Sequence, residues 1–170
     1  REEIAEPGEW CCDTEEGWLY LKPPADFDPA SVEIPVLDCL VGLRGTQHLR
    51  IERREFTCTT TGDDYHRFGV QGVGAMVSQP GWRYCGEALH LRATRGCVVE
   101  RCRFVEVGGN AVYLEGGAVR CAVRRCEVDG PGANGIVLAG DRAFHPLACE
   151  VANNDVHHVG SLINLTAAVF

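Results

Sequence analysis

Cys97 and Cys121 are 24 residues apart, and so are Cys102 and Cys126. The register runs on past the cysteines. "ALHLRATRGCVVERCRFVEVGG" (88–109) lies over "AVYLEGGAVRCAVRRCEVDGPG" (111–132), at an offset of 23 at the start and 24 from the cysteines onward. A third copy, "GIVLAGDRAFHPLACEVANNDVHHVG" (135–160), carries extra residues between Leu138 and Cys149. An earlier one, "CLVGLRGTQHLRIERREF" (39–56), sets Phe56 under Phe104 at twice the spacing, which makes residues 61–86 a long insertion. A repeat of this length constrains the fold more than any composition does. Each unit is too short to bury its own apolar residues and must bury them against its neighbours.

Within a unit the pattern is a short alternating run, a turn, then apolar-x-V-x-x-[C/N]-x-[F/V]. Leu89 and Leu91 correspond to Val112 and Leu114, and to Ile136 and Leu138. Period-2 runs of three to five residues, punctuated by glycine, are strands. Several short strands per 22–24 residues predict an all-β chain, a right-handed parallel β-helix (solenoid) with stacked coils. The expected organisation is a β-hairpin appendage over 1–35 and coils over 36–170, with an inserted loop at 61–86.

Read as C-x4-C-x18-C-x4-C, the same cysteines resemble a zinc motif. In stacked coils, however, Cys97, Cys121 and Cys149 form one inward column, while Cys102, Cys126 and Asn154 form another at a bend. Tetrahedral zinc needs four thiolates converging at ~2.3 Å on one point, whereas stacked side chains run parallel. Asparagine suits a bend because its amide bonds backbone groups freed by the turn. Rungs ~4.8 Å apart also fit disulfides poorly, whose Cβ atoms stand ~3.8 Å apart. The cysteines are therefore read as reduced, buried thiols, and no metal or cofactor is expected.

The N-terminal "GEWCCDTEEGWLYLKPP" (8–24) has apolar runs around Trp10–Cys12 and Trp18–Leu21, joined by a polar turn that ends in Gly17. It reads as a hairpin closed by Pro23 and Pro24. Residues 1–38 carry eleven acids against Arg1 and Lys22, while residues 39–170 carry thirteen acids against fourteen arginines. No face is basic enough to expect a nucleic-acid partner. No run reaches the ~18 apolar residues of a membrane span. Arg1 at the start, a single methionine at Met76 and the apolar ending "LTAAVF" predict an internal fragment of a longer protein. Its uncapped coil edge would self-associate, and by itself it would be inactive.

"EPGEWCCDTEEGWLYLKPP" resembles the PGEW and LYYxPP segment of bacterial right-handed β-helix carbohydrate-active proteins, especially those similar to glycoside hydrolase family 141. "LAGDRAFHPLACEVANNDVHHVGSL" resembles that group's GGDR and N-x-I-H-x-x-G stretch. The resemblance implies an extracellular or periplasmic glycoside hydrolase acting on plant-type polysaccharide, fucoside or xylan-like, with an oligosaccharide or polysaccharide as its partner. It maps a catalytic carboxylate onto Asp141, with Arg142 beside it as a sugar contact, and matches His157 and His158. The second carboxylate would lie beyond Phe170. Cys11 and Cys12 stand where the family hairpin has aromatic residues.

The residues by themselves allow the same chemistry. Glycoside hydrolysis generally needs two carboxyl groups, ~5–5.5 Å apart for retention or ~6.5–9.5 Å for inversion, and rungs ~4.8 Å apart can set either. Of the acids on the coils, most of Glu87, Glu100, Glu106, Glu115, Glu127, Asp129, Glu150 and Asp155 alternate with arginines and read as surface charge, any one of them being a lesser catalytic candidate. Asp141 stands out because it lies in the glycine-flanked loop where the repeat lengthens. His157 and His158 share a site only if the chain turns there, since neighbours in a strand face opposite ways. Tyr65, His66 and Trp82, in the glycine-rich insertion, suit the wall of a sugar cleft. Asp63 and Asp64 are a weak calcium signal. Two other readings stay open. One is a polysaccharide lyase, whose base would have to be arginine because Lys22 is the only lysine; the other is a non-catalytic carbohydrate-binding or surface-structural β-helix.

Overall fold

The computed structural model describes residues 4–13, 15–60, 86–140, 143–162 and 166–170. It divides into two compact units, Arg1–Ile34 and Pro35–Phe170.

In the first unit, strands β1 (Trp10–Asp13) and β2 (Trp18–Leu21) pair antiparallel, Trp10 opposite Leu21 and Asp13 opposite Trp18. Asp13 organises the turn. Its side chain accepts from the backbone N–H groups of Glu15 and Glu16 at 3.2 and 3.0 Å, and its carbonyl accepts from Gly17 at 2.8 Å. Gly17 takes φ +73°, the left-handed region where a side chain would strain the backbone. A single 3-10 turn, Pro29–Ser31, follows and is capped by Asp28.

The second unit is a parallel β-helix, with four three-stranded coils among the described residues. The first coil contributes β3 (Cys39–Arg44), β4 (Arg50–Glu52) and β5 (Glu55–Thr57). Next come β6 (Glu87–Arg92), β7 (Val98–Glu100) and β8 (Arg103–Val105). The third coil holds β9 (Asn110–Glu115), β10 (Ala122–Arg124) and β11 (Glu127–Asp129). The fourth holds β12 (Ile136–Ala139), β13 (Glu150–Ala152) and β14 (Asp155–His157). Every third strand joins the same sheet, giving sheet 1 (β3-β6-β9-β12), sheet 2 (β4-β7-β10-β13) and sheet 3 (β5-β8-β11-β14).

The register is the one read from the repeat. Leu89 pairs with Val112, and Val112 with Ile136; Phe56 pairs with Phe104 across the 48-residue step. Val123 pairs with Val151, so the fourth coil carries its extra residues between β12 and β13. Inside, like residues stack: Val99 on Val123, Leu91 on Leu114, Phe104 on Val128, all at most 1% exposed. The rings of Phe56 and Phe104 lie 4.9 Å apart and within 10° of parallel, matching the ~4.8 Å rung spacing. Val41, Leu43 and Ile51 below, and Leu138, Val151 and Val156 above, are only partly buried, because outer coils pack on one side. Residues 166–170 begin a further rung: the Ile136 N–H donates to the Ala168 carbonyl and the Phe170 N–H to the Ile136 carbonyl, both at 2.9 Å, around a Val169 bridge.

The corners carry a signal that the sequence pattern hides. Left-handed residues stack in columns, such as Arg53, Arg101, Arg125 and Asn153, or Cys58, Glu106, Gly130 and His158. Each lets the chain change direction between sheets, and most are not glycine. Where backbones approach most closely glycine is obligatory: a Cβ on Gly132 would sit 2.0 Å from the carbonyl oxygen of Gly108 on the coil below.

Candidate functional site

Asp129 ends β11 and His157 ends β14, and the two are register partners on adjacent rungs. His158 follows at φ +53°. That left-handed step breaks the alternation of the strand and turns the His158 ring to the side already occupied by His157. Gly130, beneath His158 in the corner column, presents no side chain. Three atoms consequently converge: Asp129 Oδ1 lies 2.9 Å from His158 Nδ1 and 3.0 Å from His157 Nδ1, and the two nitrogens are 2.9 Å apart. The imidazoles meet edge to face at 86°. The His158 side chain is 77% exposed, and those of Asp129 and His157 about one-third exposed, so solvent reaches the cluster. The hydrogen bond from His158 holds the Asp129 carboxyl below its ordinary range against a smaller opposing effect of burial, and the charges of both histidines and Arg103 add to it.

A second polar group occupies the outward face of sheet 1. His90 and Tyr113 are register partners there, with rings 5.2 Å apart and near perpendicular. His90 Nε2 lies 2.9 Å from Glu115 Oε2, and Arg92 Nε approaches the same oxygen at 3.6 Å. Burial pulls the His90 imidazole below its ordinary range, more than the hydrogen bond to Glu115 raises it. Nearby, Asn110 donates to Glu87 at 3.5 Å and accepts from the Asn134 backbone and side chain at 3.0 and 2.9 Å; Asn134 in turn accepts from Ala167 at 2.8 Å. This ladder ties four successive rungs at the entry to sheet 1.

Sheet 2 carries an ionic network instead. Glu100, read from the sequence as surface charge, is 2% exposed. It lies 2.6 Å from Arg50, 2.8 Å from Arg125 and 3.4 Å from Arg124 Nε. Burial raises its carboxyl, but Arg124, Arg101 and Arg50 together outweigh that and hold it below the ordinary range. With every carboxylate oxygen engaged by arginine, the group braces rungs.

The cysteines follow the stacked columns. Cys97, Cys102, Cys121 and Cys126 are buried, and no cysteine among the described residues is in a disulfide. Cys102 and Cys126 donate toward the carbonyls of Ile51 and Val99, and the Asn154 amide donates to Val123, each the register equivalent one rung down. Thiol and amide thus do the same work in one column. The group of potential metal ligands found among the described residues is Asp129, His157 and His158, with no cysteine in it.

Of the residues singled out in the sequence, His157 and His158 come together, with Asp129 as their partner. Asp141, Arg142, Tyr65, His66 and Trp82 lie outside the described residues, as do Asp63 and Asp64. His145, which the sequence places on the same lengthened coil as His157 and His158, stands at another corner: its backbone and ring pack against Gly140, where the chain leaves sheet 1 for sheet 2. Asp129 and Glu115 were indistinguishable in the sequence from solvated charge, and His90 carried no motif. Register could have found them. Asp129 is the residue one rung below His157, and His90 and Tyr113 occupy the same outward position of "ALHLR" and "AVYLE". No helix among the described residues is long and apolar enough to cross a membrane. No family model matches the chain, and neither a curated protein nor a solved structure matches it.

Proposed function

We propose that the chain is part of a carbohydrate-active β-helix protein, a glycoside hydrolase of the extracellular or periplasmic space acting on plant-type polysaccharide, fucoside or xylan-like, with the outward face of sheet 1 as its working surface. The observation that carries this reading is the His90–Glu115 pair. A one-third exposed carboxylate is oriented at 2.9 Å by a buried imidazole and neighboured by Arg92, on the outward face of a parallel sheet. A carboxylate so held can serve as one of the two groups that glycoside hydrolysis requires. A histidine whose proton affinity is lowered by burial is suited to stay neutral and steer it. The resemblance of "EPGEWCCDTEEGWLYLKPP" and "LAGDR" to the family 141 group supports the same class.

Asp141 is the other carboxyl in this proposal, on sequence grounds, and Glu115 takes the place of the second carboxylate expected beyond Phe170. The strand that pairs beside Glu115 ends at Ala139, and Asp141 comes two residues later in the chain. Arg142, Trp82, Tyr65 and His66 remain its proposed sugar contacts. His157 and His158, held by Asp129 at the corner between sheets 3 and 1, are not part of this catalytic pair.

The test is hydrolysis of aryl-fucosides and xylan by the protein and by its Glu115→Gln and Asp141→Asn variants. Loss of turnover in both, with retained substrate binding, supports the proposal. Undiminished hydrolysis in either removes that carboxyl from the mechanism. Binding without turnover in the parent protein overturns hydrolysis in favour of a binding β-helix, and unsaturated uronide products would replace it with a lyase.

A further inference from the structure

The Asp129–His157–His158 triangle has a proton-counting problem. A carboxylate oxygen can only accept, while each neutral imidazole nitrogen either donates or accepts. With a proton on both Nδ1 atoms, the 2.9 Å nitrogen–nitrogen edge sets two N–H hydrogens against each other. With a proton on His158 alone, the His157 lone pair faces that of the carboxylate at 3.0 Å. Reversing the choice moves the same conflict to the 2.9 Å edge between Asp129 and His158. No arrangement of protons satisfies all three edges at once. A cation above the triangle satisfies all three lone pairs together.

The dimensions agree with a particular kind of ion. Around an octahedral ion with ligands at ~2.1 Å, adjacent donor atoms stand ~3.0 Å apart, whereas a tetrahedral zinc site would spread them to ~3.4 Å. The three edges here are 2.9, 2.9 and 3.0 Å. Two imidazoles and one carboxylate on a single face are a borderline-hard donor set that suits a divalent first-row transition ion and leaves the opposite face open. That face is toward solvent, as the exposure of His158 shows. The arrangement is also built rather than accidental. Asp129 and His157 are fixed by strand register, and His158 reaches the site through a left-handed corner shared by Cys58, Glu106 and Gly130 on the other rungs.

We propose that Asp129 Oδ1, His157 Nδ1 and His158 Nδ1 bind one divalent transition-metal ion, with water or an oxygen-bearing ligand on its three remaining positions. Binding replaces three waters of the hydrated ion by the three protein atoms and releases to solvent any Nδ1 proton that was present. The site stands at the corner between sheets 3 and 1 and does not depend on the carbohydrate reading of sheet 1.

Co²⁺ is the informative probe, because its spectrum separates nitrogen–oxygen octahedral ligation from binding by the ten cysteines. Chelator-treated full chain is titrated with Co²⁺, and in parallel with Zn²⁺, by calorimetry and visible absorption. The expected result is one equivalent of Co²⁺ with weak octahedral d–d bands and no thiolate charge-transfer band. Asp129→Asn and His158→Gly should each weaken binding by more than about 100-fold, beyond what loss of an outer-shell partner costs, while His145→Ala leaves it unchanged. Glycine at 158 keeps the left-handed corner, so circular dichroism should be unaltered. Absence of a nitrogen–oxygen Co²⁺ spectrum, or binding as tight as the parent's in either ligand variant, overturns the site.

Discussion

Asn154 bridges two rungs through Cys126: its Oδ1 accepts from the Cys126 backbone N–H at 2.9 Å, while its Nδ2 donates to the Val123 carbonyl at 3.0 Å. One side chain thereby satisfies a donor and an acceptor that the bend takes out of the sheet ladder. Asn154→Ala should destabilise the coil unit by about 1–3 kcal/mol, two net hydrogen bonds at ordinary worth. Urea unfolding of variant and parent measures it, and an unchanged midpoint would show that water replaces the amide at no cost.

Cysteine holds the same column lower down, where the sites are sealed. The Cys126 thiol is pushed up by its hydrogen bond with Cys102 and by burial, so little thiolate is available for attack. Cys97, Cys102, Cys121 and Cys126 are all at most 2% exposed, so a thiol reagent should be kept from them in the native protein and reach them on unfolding, while Cys11 and Cys12, exposed in the hairpin, react at once. Mass spectrometry after brief alkylation reads the outcome position by position. Rapid labelling of Cys121 under native conditions would contradict the inward column.

Coil contact at Gly132 is backbone against backbone. A methyl there would stand 2.0 Å from the Gly108 oxygen and 2.7 Å from its carbonyl carbon, and neither coil can yield without breaking the 2.7 Å hydrogen bond from Gly132 to Val107. Gly132→Ala should cost at least about 3 kcal/mol, at the upper end of overpacking effects. Ala148→Gly makes the opposite comparison. Ala148 is exposed with φ +52°, and glycine relieves its left-handed strain while loosening the unfolded chain, for a net gain of up to about 1 kcal/mol. Denaturation midpoints of the two variants should move in opposite directions.

Acid should undo the brace on sheet 2. The Glu100 carboxyl is held below its ordinary range, so the folded state keeps it ionised to lower pH than the unfolded state does. Its contribution is then fully present above the unfolded value of about 4.3 and is lost as pH falls through the lower folded one. Melting curves should show Glu100→Gln less stable than the parent at neutral pH, with the gap closing only once pH falls below about 4. A gap that is absent at neutral pH would mean that the arginines find equivalent partners without it.

Much of the architecture was legible because a solenoid writes its packing along the chain. Leu89, Val112 and Ile136 recur at steps of 23 and 24 residues since each must stack on the last, and the 48-residue step to Phe56 already placed Phe56 under Phe104. The hairpin was equally plain from two short runs around Gly17. The left-handed corners were not legible, because Arg101, Arg125 and His158 occupy a conformation usually signalled by glycine. Burial of Glu100 was hidden for a related reason: a glutamate among arginines reads as solvated charge whether or not the neighbouring rungs close over it.

The repeat alone therefore determined coil length, strand register and which residues face inward, since one-dimensional spacing and stacked burial are the same constraint in such a fold. Only the tertiary structure decided which outward side chains meet. Asp129 and His157 are 28 residues apart in sequence yet register partners in space. The turn at His158 adds a third donor by reversing the side to which a side chain points. Convergence of polar groups depends on corner geometry and on what stands on the adjacent rung, and neither is written in the periodicity of a single coil.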